Sequence, residues 1–196
     1  MSEAIALPPL QTIAAFDAFL VDQRDEGAWE LLGGEFVAMT NPSLAHEEIA
    51  GNLAAAFRAQ LPGDRRCRVA AGGVRVQASD DERGVYAPRP DVMVWCGPMR
   101  PDRHHVTTPM IIAEVLFPSS MDHDRGTKLR FYKSALPTLR HIALVYQDQM
   151  RVELYNRTGL GWELEVLTRP EDRAMFASLL LEVPLANIYA GVEQAG

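Results

Sequence analysis

Two cysteines, Cys67 and Cys96, are too few for a disulfide scaffold and lack the paired spacing of a zinc site. They read as reduced thiols, the usual state in a cytoplasm, and a cytoplasmic location is expected. Long apolar runs are also missing. The longest, such as residues 142–146, fall far short of the ~20 residues a bilayer requires, so no membrane span is expected. No basic residue precedes the first apolar patch (Met1-Ser2-Glu3-Ala4-Ile5), so no secretory leader is expected either. Positive charge is in deficit, with 19 Lys and Arg against 26 Asp and Glu for a net charge of −7. That excludes a uniformly basic surface, so any contact with nucleic-acid phosphates must come from a local stripe. Arg65, Arg66, Arg68 and Arg75 are one candidate stripe, and Arg100, Arg103, His104 and His105 another. Solvated loops are the commoner role for such arginines.

The composition, 47% hydrophobic over 196 residues, suits one soluble domain spanning residues 1–196. Residues 10–24 carry Ile13, Phe16, Phe19 and Leu20 on one helical stripe. Gly33-Gly34 between Trp29-Glu30-Leu31-Leu32 and Glu35-Phe36-Val37-Ala38-Met39 signals a β-hairpin, because a tight turn needs positive φ. Asn41-Pro42-Ser43 provides a stop and an N-cap for a helix over residues 43–61. Strands are expected at 68–77, 85–96, 110–117, 138–146, 151–156 and 162–167, with a loop at 97–109. A helix is expected at 121–135 and a short one at 185–190. The order predicts a mixed α/β domain, a central sheet flanked by helices with a helix and hairpin before it.

Charged residues interrupt this apolar pattern at three places. Asp91 follows Pro90 at the mouth of the strand Val92-Met93-Val94-Trp95, and Glu114 sits within Met110-Ile111-Ile112-Ala113-Glu114-Val115-Leu116. A carboxylate buried in a strand costs several kcal/mol, roughly, unless a cation or hydrogen bonds compensate it. Side chains alternate along strands, so Asp91 and Glu114 converge if their strands are neighbours. A divalent cation relieves their repulsion, and Mg²⁺ or Mn²⁺ suits oxygen donors, among which the Val115 carbonyl is a further candidate. Lys128 shares its helix with Leu129, Phe131 and Tyr132, which should turn its stem inward. It would orient water or offset charge on a phosphoryl group. His46 shares a stripe with Ala50, Leu53 and Phe57, and Glu35 begins the second hairpin strand. Each residue also has a plainer role: Asp91 as a turn cap, Glu114 in a structural salt bridge, Lys128 at the surface, His46 as a satisfied core histidine, Glu35 as an ordinary hairpin residue.

The runs Arg89-Pro90-Asp91-Val92, Ala113-Glu114-Val115-Leu116-Phe117-Pro118-Ser119-Ser120 and Asp124-Arg125-Gly126-Thr127-Lys128-Leu129-Arg130-Phe131-Tyr132, taken in that order, resemble the bacterial restriction-endonuclease-like family within the PD-(D/E)XK nucleases. The hairpin from Trp29, the helix start at Ser43-Leu44-Ala45-His46 and the strand pair Ile142–Tyr146 and Arg151–Tyr155 extend the likeness over residues 29–167. The resemblance implies a restriction-endonuclease-like core and a metal held by Asp91 and Glu114. It also implies a Mg²⁺- or Mn²⁺-dependent endonuclease acting on nucleic acid, DNA in the first instance, with a homodimer as the expected assembly. Leu116 stands where the superfamily's usual lysine lies, so that role passes to Lys128, with His46, Glu35 and Asp124 at family positions nearby. Phe117, where a serine is usual, and Gln147-Asp148, in place of Asp-Pro, are departures. Two other classes stay open: a non-catalytic nucleic-acid-binding or regulatory module, and a metal-dependent hydrolase of a small phosphoester.

Overall fold

The computed structural model describes residues 9–22, 28–63, 66–98, 104–116 and 123–193. In chain order the elements are α1 (Ile13–Asp22), β1 (Trp29–Leu32), β2 (Glu35–Ala38), α2 (Leu44–Gln60), β3 (Cys67–Ala71), β4 (Arg75–Val76), β5 (Tyr86–Ala87), β6 (Val92–Cys96), β7 (His105–Val106) and β8 (Pro109–Leu116). A π-helical turn, His123–Lys128, leads directly into α3 (Leu129–Ala135). Then come β9 (His141–Tyr146), β10 (Val152–Thr158), β11 (Gly161–Leu167), β12 (Arg173–Phe176), β13 (Leu181–Pro184) and α4 (Leu185–Ile188).

Six strands form the main sheet in the order β11-β10-β9-β8-β6-β3. Among the described residues, only β8 and β9 pair in parallel within it, and the chain between them carries α3. Parallel neighbours need such a crossover. Burial on both faces explains the near-continuous apolar sequence of β8. Val92, Val94, Ile111, Ala113 and Val115 face α2, whose Ile49, Leu53 and Phe57 complete that half of the core. Met93, Ile112 and Leu116 point the other way, against Leu129, Phe131 and Tyr132. The mixed architecture with helices on both faces is the one the sequence predicts.

Ser43 caps α2 as expected, its Oγ accepting from the His46 amide at 3.1 Å. The same hydroxyl pairs with Gln147 Oε1, which ties the start of α2 to the end of β9. The Gly33-Gly34 turn closes the predicted hairpin with both glycines at positive φ, 62° and 82°. That hairpin joins β5 in a small sheet covered by Ile13 and Phe16 of α1.

Several expectations are corrected. The strand expected at 68–77 divides into β3 and β4 at Gly72 and Gly73, both at positive φ (65° and 74°). The one at 85–96 divides into β5 and β6 across Pro88 and Pro90. The 97–109 loop contains β7, which pairs with β4. Residues 173–184 fold into the β12–β13 hairpin, which the sequence pattern did not reveal. Cys67 and Cys96 are joined in a disulfide rather than free, because the β3–β6 register sets them directly opposite each other. That removes reduced thiols as an argument for a cytoplasmic location. Arg75 is no surface cation: it is buried and paired with Asp17 at 2.5 Å. No helix among the described residues is long and apolar enough to cross a membrane. Arg65, Arg100, Arg103 and the Phe117 position lie outside the described residues.

Candidate active site

The site lies where β6 begins and β8 ends. The β6–β8 register sets Val92 opposite Ala113, so the residue preceding β6 falls beside Glu114 and Val115. Asp91 Oδ2 accepts the Val115 amide at 2.7 Å. His46 Nε2, from the first turn of α2, is 3.3 Å from the same oxygen. The Asp91 side chain is 15% exposed, so its carboxylate is reachable from solvent while one oxygen is fixed by the backbone.

Glu114 is buried on the α3 face of the sheet. Tyr132 Oη donates to its Oε1 at 2.5 Å, and Lys128 Nζ stands 3.6 Å from the same oxygen. Lys128 is itself buried and 2.9 Å from Glu30 Oε1. Glu30, also buried, accepts the Arg89 amide at 2.6 Å. Burial lowers the pKa of the Arg89 guanidinium, and nearby Arg75 adds to that, while Glu30 opposes it. The structure thus pairs His46 with Asp91 and Lys128 with Glu114, and the Val115 amide bonded to Asp91 follows Glu114 in the chain. It does not bring in Glu35, which lies exposed opposite Leu32 at the hairpin turn. Glu30, on the paired strand, takes the place beside Lys128. Its signal was present: an acid inside Trp29-Glu30-Leu31-Leu32 repeats the anomaly that singles out Glu114. Tyr132, read only as a core residue, is the other partner the sequence pattern missed. Asp124 falls in the π-helical turn, and its side chain lies outside the described residues.

Two carboxylates, Glu30 and Glu114, therefore flank the Lys128 ammonium, while Asp91 lies at the next peptide beside a histidine that adds charge only when protonated. Excess negative charge in a partly buried site favours a bound cation. Among the described residues no three His, Cys, Asp or Glu side chains are grouped to hold a metal. Mg²⁺ needs no such cage: one or two carboxylates suffice, with water and substrate oxygens completing its shell. Asp91, bonded to the Val115 amide, and Glu114, the residue before it, are hard oxygen donors of that kind. The Val115 amide is committed to holding Asp91, so what Val115 demonstrably contributes is its N–H.

A family model described as "Putative restriction endonuclease" (Uma2) matches residues 13–186. An uncharacterized protein of Synechocystis, slr1290, is 28% identical over 172 residues, covering 87% of this chain and 88% of its own. A second from the same organism, sll1609, is 32% identical over 143 residues, covering 70% and 78%. Among solved structures, one titled as a putative nuclease belonging to DUF820, from Anabaena variabilis, superposes with a TM-score of 0.73. It is 17% identical, with 93% of this chain and 99% of that one covered, a likeness of fold.

Proposed function

Because the chain belongs to the Uma2 family, described as putative restriction endonucleases, we propose that it is a divalent-metal-dependent endonuclease that hydrolyses phosphodiester bonds, with DNA as its substrate. One observation carries the reading: Asp91 is bonded to the amide of Val115, the residue after Glu114, with a buried lysine on Glu114. Asp91 and Glu114 would hold Mg²⁺ or Mn²⁺, which when bound supplies a Lewis acid for the scissile phosphate.

The protein's own groups have separable tasks. Val115 N–H and His46 Nε2 fix the Asp91 carboxylate, so its position does not depend on a ligand. Tyr132 does the same for Glu114. Lys128 is an ammonium with a short reach, held between Glu30 and Glu114, and is placed to donate to a water or to an oxygen of the phosphate. Preorganised charge of this kind acts without reorganisation during the reaction. Glu30 holds that ammonium in place. A homodimer is part of the same proposal, drawn from the family resemblance.

Cleavage of supercoiled plasmid with Mg²⁺ or Mn²⁺, beside Asp91→Ala, tests it. Metal-dependent nicking that the substitution abolishes supports the reading. Metal binding lost in Asp91→Ala, without any nicking, retains the site and moves the substrate to a small phosphoester. A protein that neither cuts nor binds metal is a non-catalytic module on the same scaffold.

A further inference from the structure

A second buried acid stands beside this site and takes no part in it. Glu114 on β8 is opposite Leu144 on β9, and Leu144 is opposite Glu153 on β10. The two glutamates therefore share one sheet face, two strand spacings or about 10 Å apart. Glu153 Oε1 accepts from Arg125 at 3.0 Å, from Arg151 at 2.9 Å and from the Tyr146 hydroxyl at 2.9 Å. Both guanidinium carbons also approach the Tyr146 ring, at 5.8 Å for Arg125 and 5.3 Å for Arg151.

One arginine would neutralise Glu153. The second leaves a net positive charge, in a chain whose total is −7. The carboxylate and the tyrosine ring fix both guanidiniums in place, yet their side chains remain 38% and 34% exposed. Arg125 spends Nη1 on Glu153 and Arg151 spends Nε and Nη2. The other N–H groups have no partner among the described residues. Rigid planar forks with spare donors match phosphate oxygens. Arg125 is also three residues from Lys128 in the same π-helical turn, so one element positions both cations. Each nucleic-acid strand carries a charge about every 3.4 Å along its axis, and the ~10 Å offset is then a few phosphates from Glu114.

We propose that Arg125 and Arg151, clamped by Glu153 and Tyr146, form a subsite for a backbone phosphate flanking the one cleaved. This rests on the nuclease reading and adds which residues grip the substrate strand. Being a phosphate contact, it supplies affinity and register but no base discrimination.

The test is binding of a short labelled oligodeoxynucleotide, without divalent metal, across a salt series, for the parent, Arg125→Gln, Arg151→Gln and Arg151→Lys. Thermal melting of each variant verifies its fold. Each Gln variant is expected to bind several-fold more weakly and to lower the salt-dependence slope by about one. Arg151→Lys, which keeps the charge, is expected to retain the parent slope. Folded Gln variants with parental affinity and slope, in a protein that still cuts plasmid, overturn the subsite and leave the nuclease standing. A parent that neither binds the oligonucleotide nor cuts plasmid overturns both.

Discussion

Lys128 Nζ lies 2.9 Å from Glu30 Oε1, an ion pair between two buried side chains drawn from the π-helical turn and the N-terminal hairpin. Nothing local in either segment sets that distance. It depends on the small sheet docking beside the main one, and it places a second acid on the ammonium that also faces Glu114. Lys128→Met strands two buried carboxylates and should cost about 3–5 kcal/mol, the scale for removing one partner of a buried pair. The double variant Glu30→Gln/Lys128→Met should lose less than the sum of the two single variants. Urea unfolding of all three checks this, and strict additivity would count against the coupling.

Asp91→Asn keeps an acceptor for the Val115 amide while removing the charge. The fold should be retained, with cleavage reduced at least about 100-fold, the scale of a lost preorganised electrostatic contact. Calorimetric titration with Mn²⁺ should show weakened binding. Wild-type cleavage by this variant would remove Asp91 from the chemistry.

The disulfide Cys67–Cys96 closes a loop of 29 residues between adjacent strands. Loop-closure entropy predicts a loss of about 3–4 kcal/mol when it is removed. Cys67→Ser with Cys96→Ser should therefore lower the unfolding midpoint, and the parent should yield no titratable thiol when unfolded without reductant. Two thiols in that titration would show the bond absent.

Burial lowers the pKa of the His141 imidazole below its ordinary value. The Asn156 hydrogen bond opposes that shift and Arg140 adds to it. Nδ1 faces Asn156 Oδ1 at 2.6 Å, and Nε2 accepts from the Ser178 amide at 3.2 Å, an arrangement of the neutral ring. The unfolded chain, with its histidine near ~6.5, then takes up a proton before the folded one does. The contribution is complete above that value and is lost as pH falls towards the folded pKa, at up to about 1.4 kcal/mol per pH unit. Unfolding free energy should fall over that window in the parent and fall less in His141→Gln. Equal slopes in the two would refute the assignment.

Local chemistry determined much of this protein from sequence alone. Apolar periodicity located α1, α2 and the central strand β8, because alternation and the helical repeat are properties of a few consecutive residues. The Gly33-Gly34 turn and the Ser43 cap were legible for the same reason. An acid in an apolar strand marked Glu114, since burying a charge is too costly to be incidental. What the tertiary structure decided are relations between distant segments. The β6–β8 register brought Asp91 to the Val115 amide, and the β3–β6 register made cysteines 29 residues apart into opposite neighbours. Docking of the hairpin selected Glu30 over Glu35: the register leaves Glu35 exposed at the turn end and buries Glu30 farther along β1, a difference of position that Gly33-Gly34 alone does not encode. Strand pairing likewise put Glu114 and Glu153 on one sheet face, and Glu153 holds the two arginines. Sequence periodicity reports which residues are buried; only the packing of one element on another reports against what.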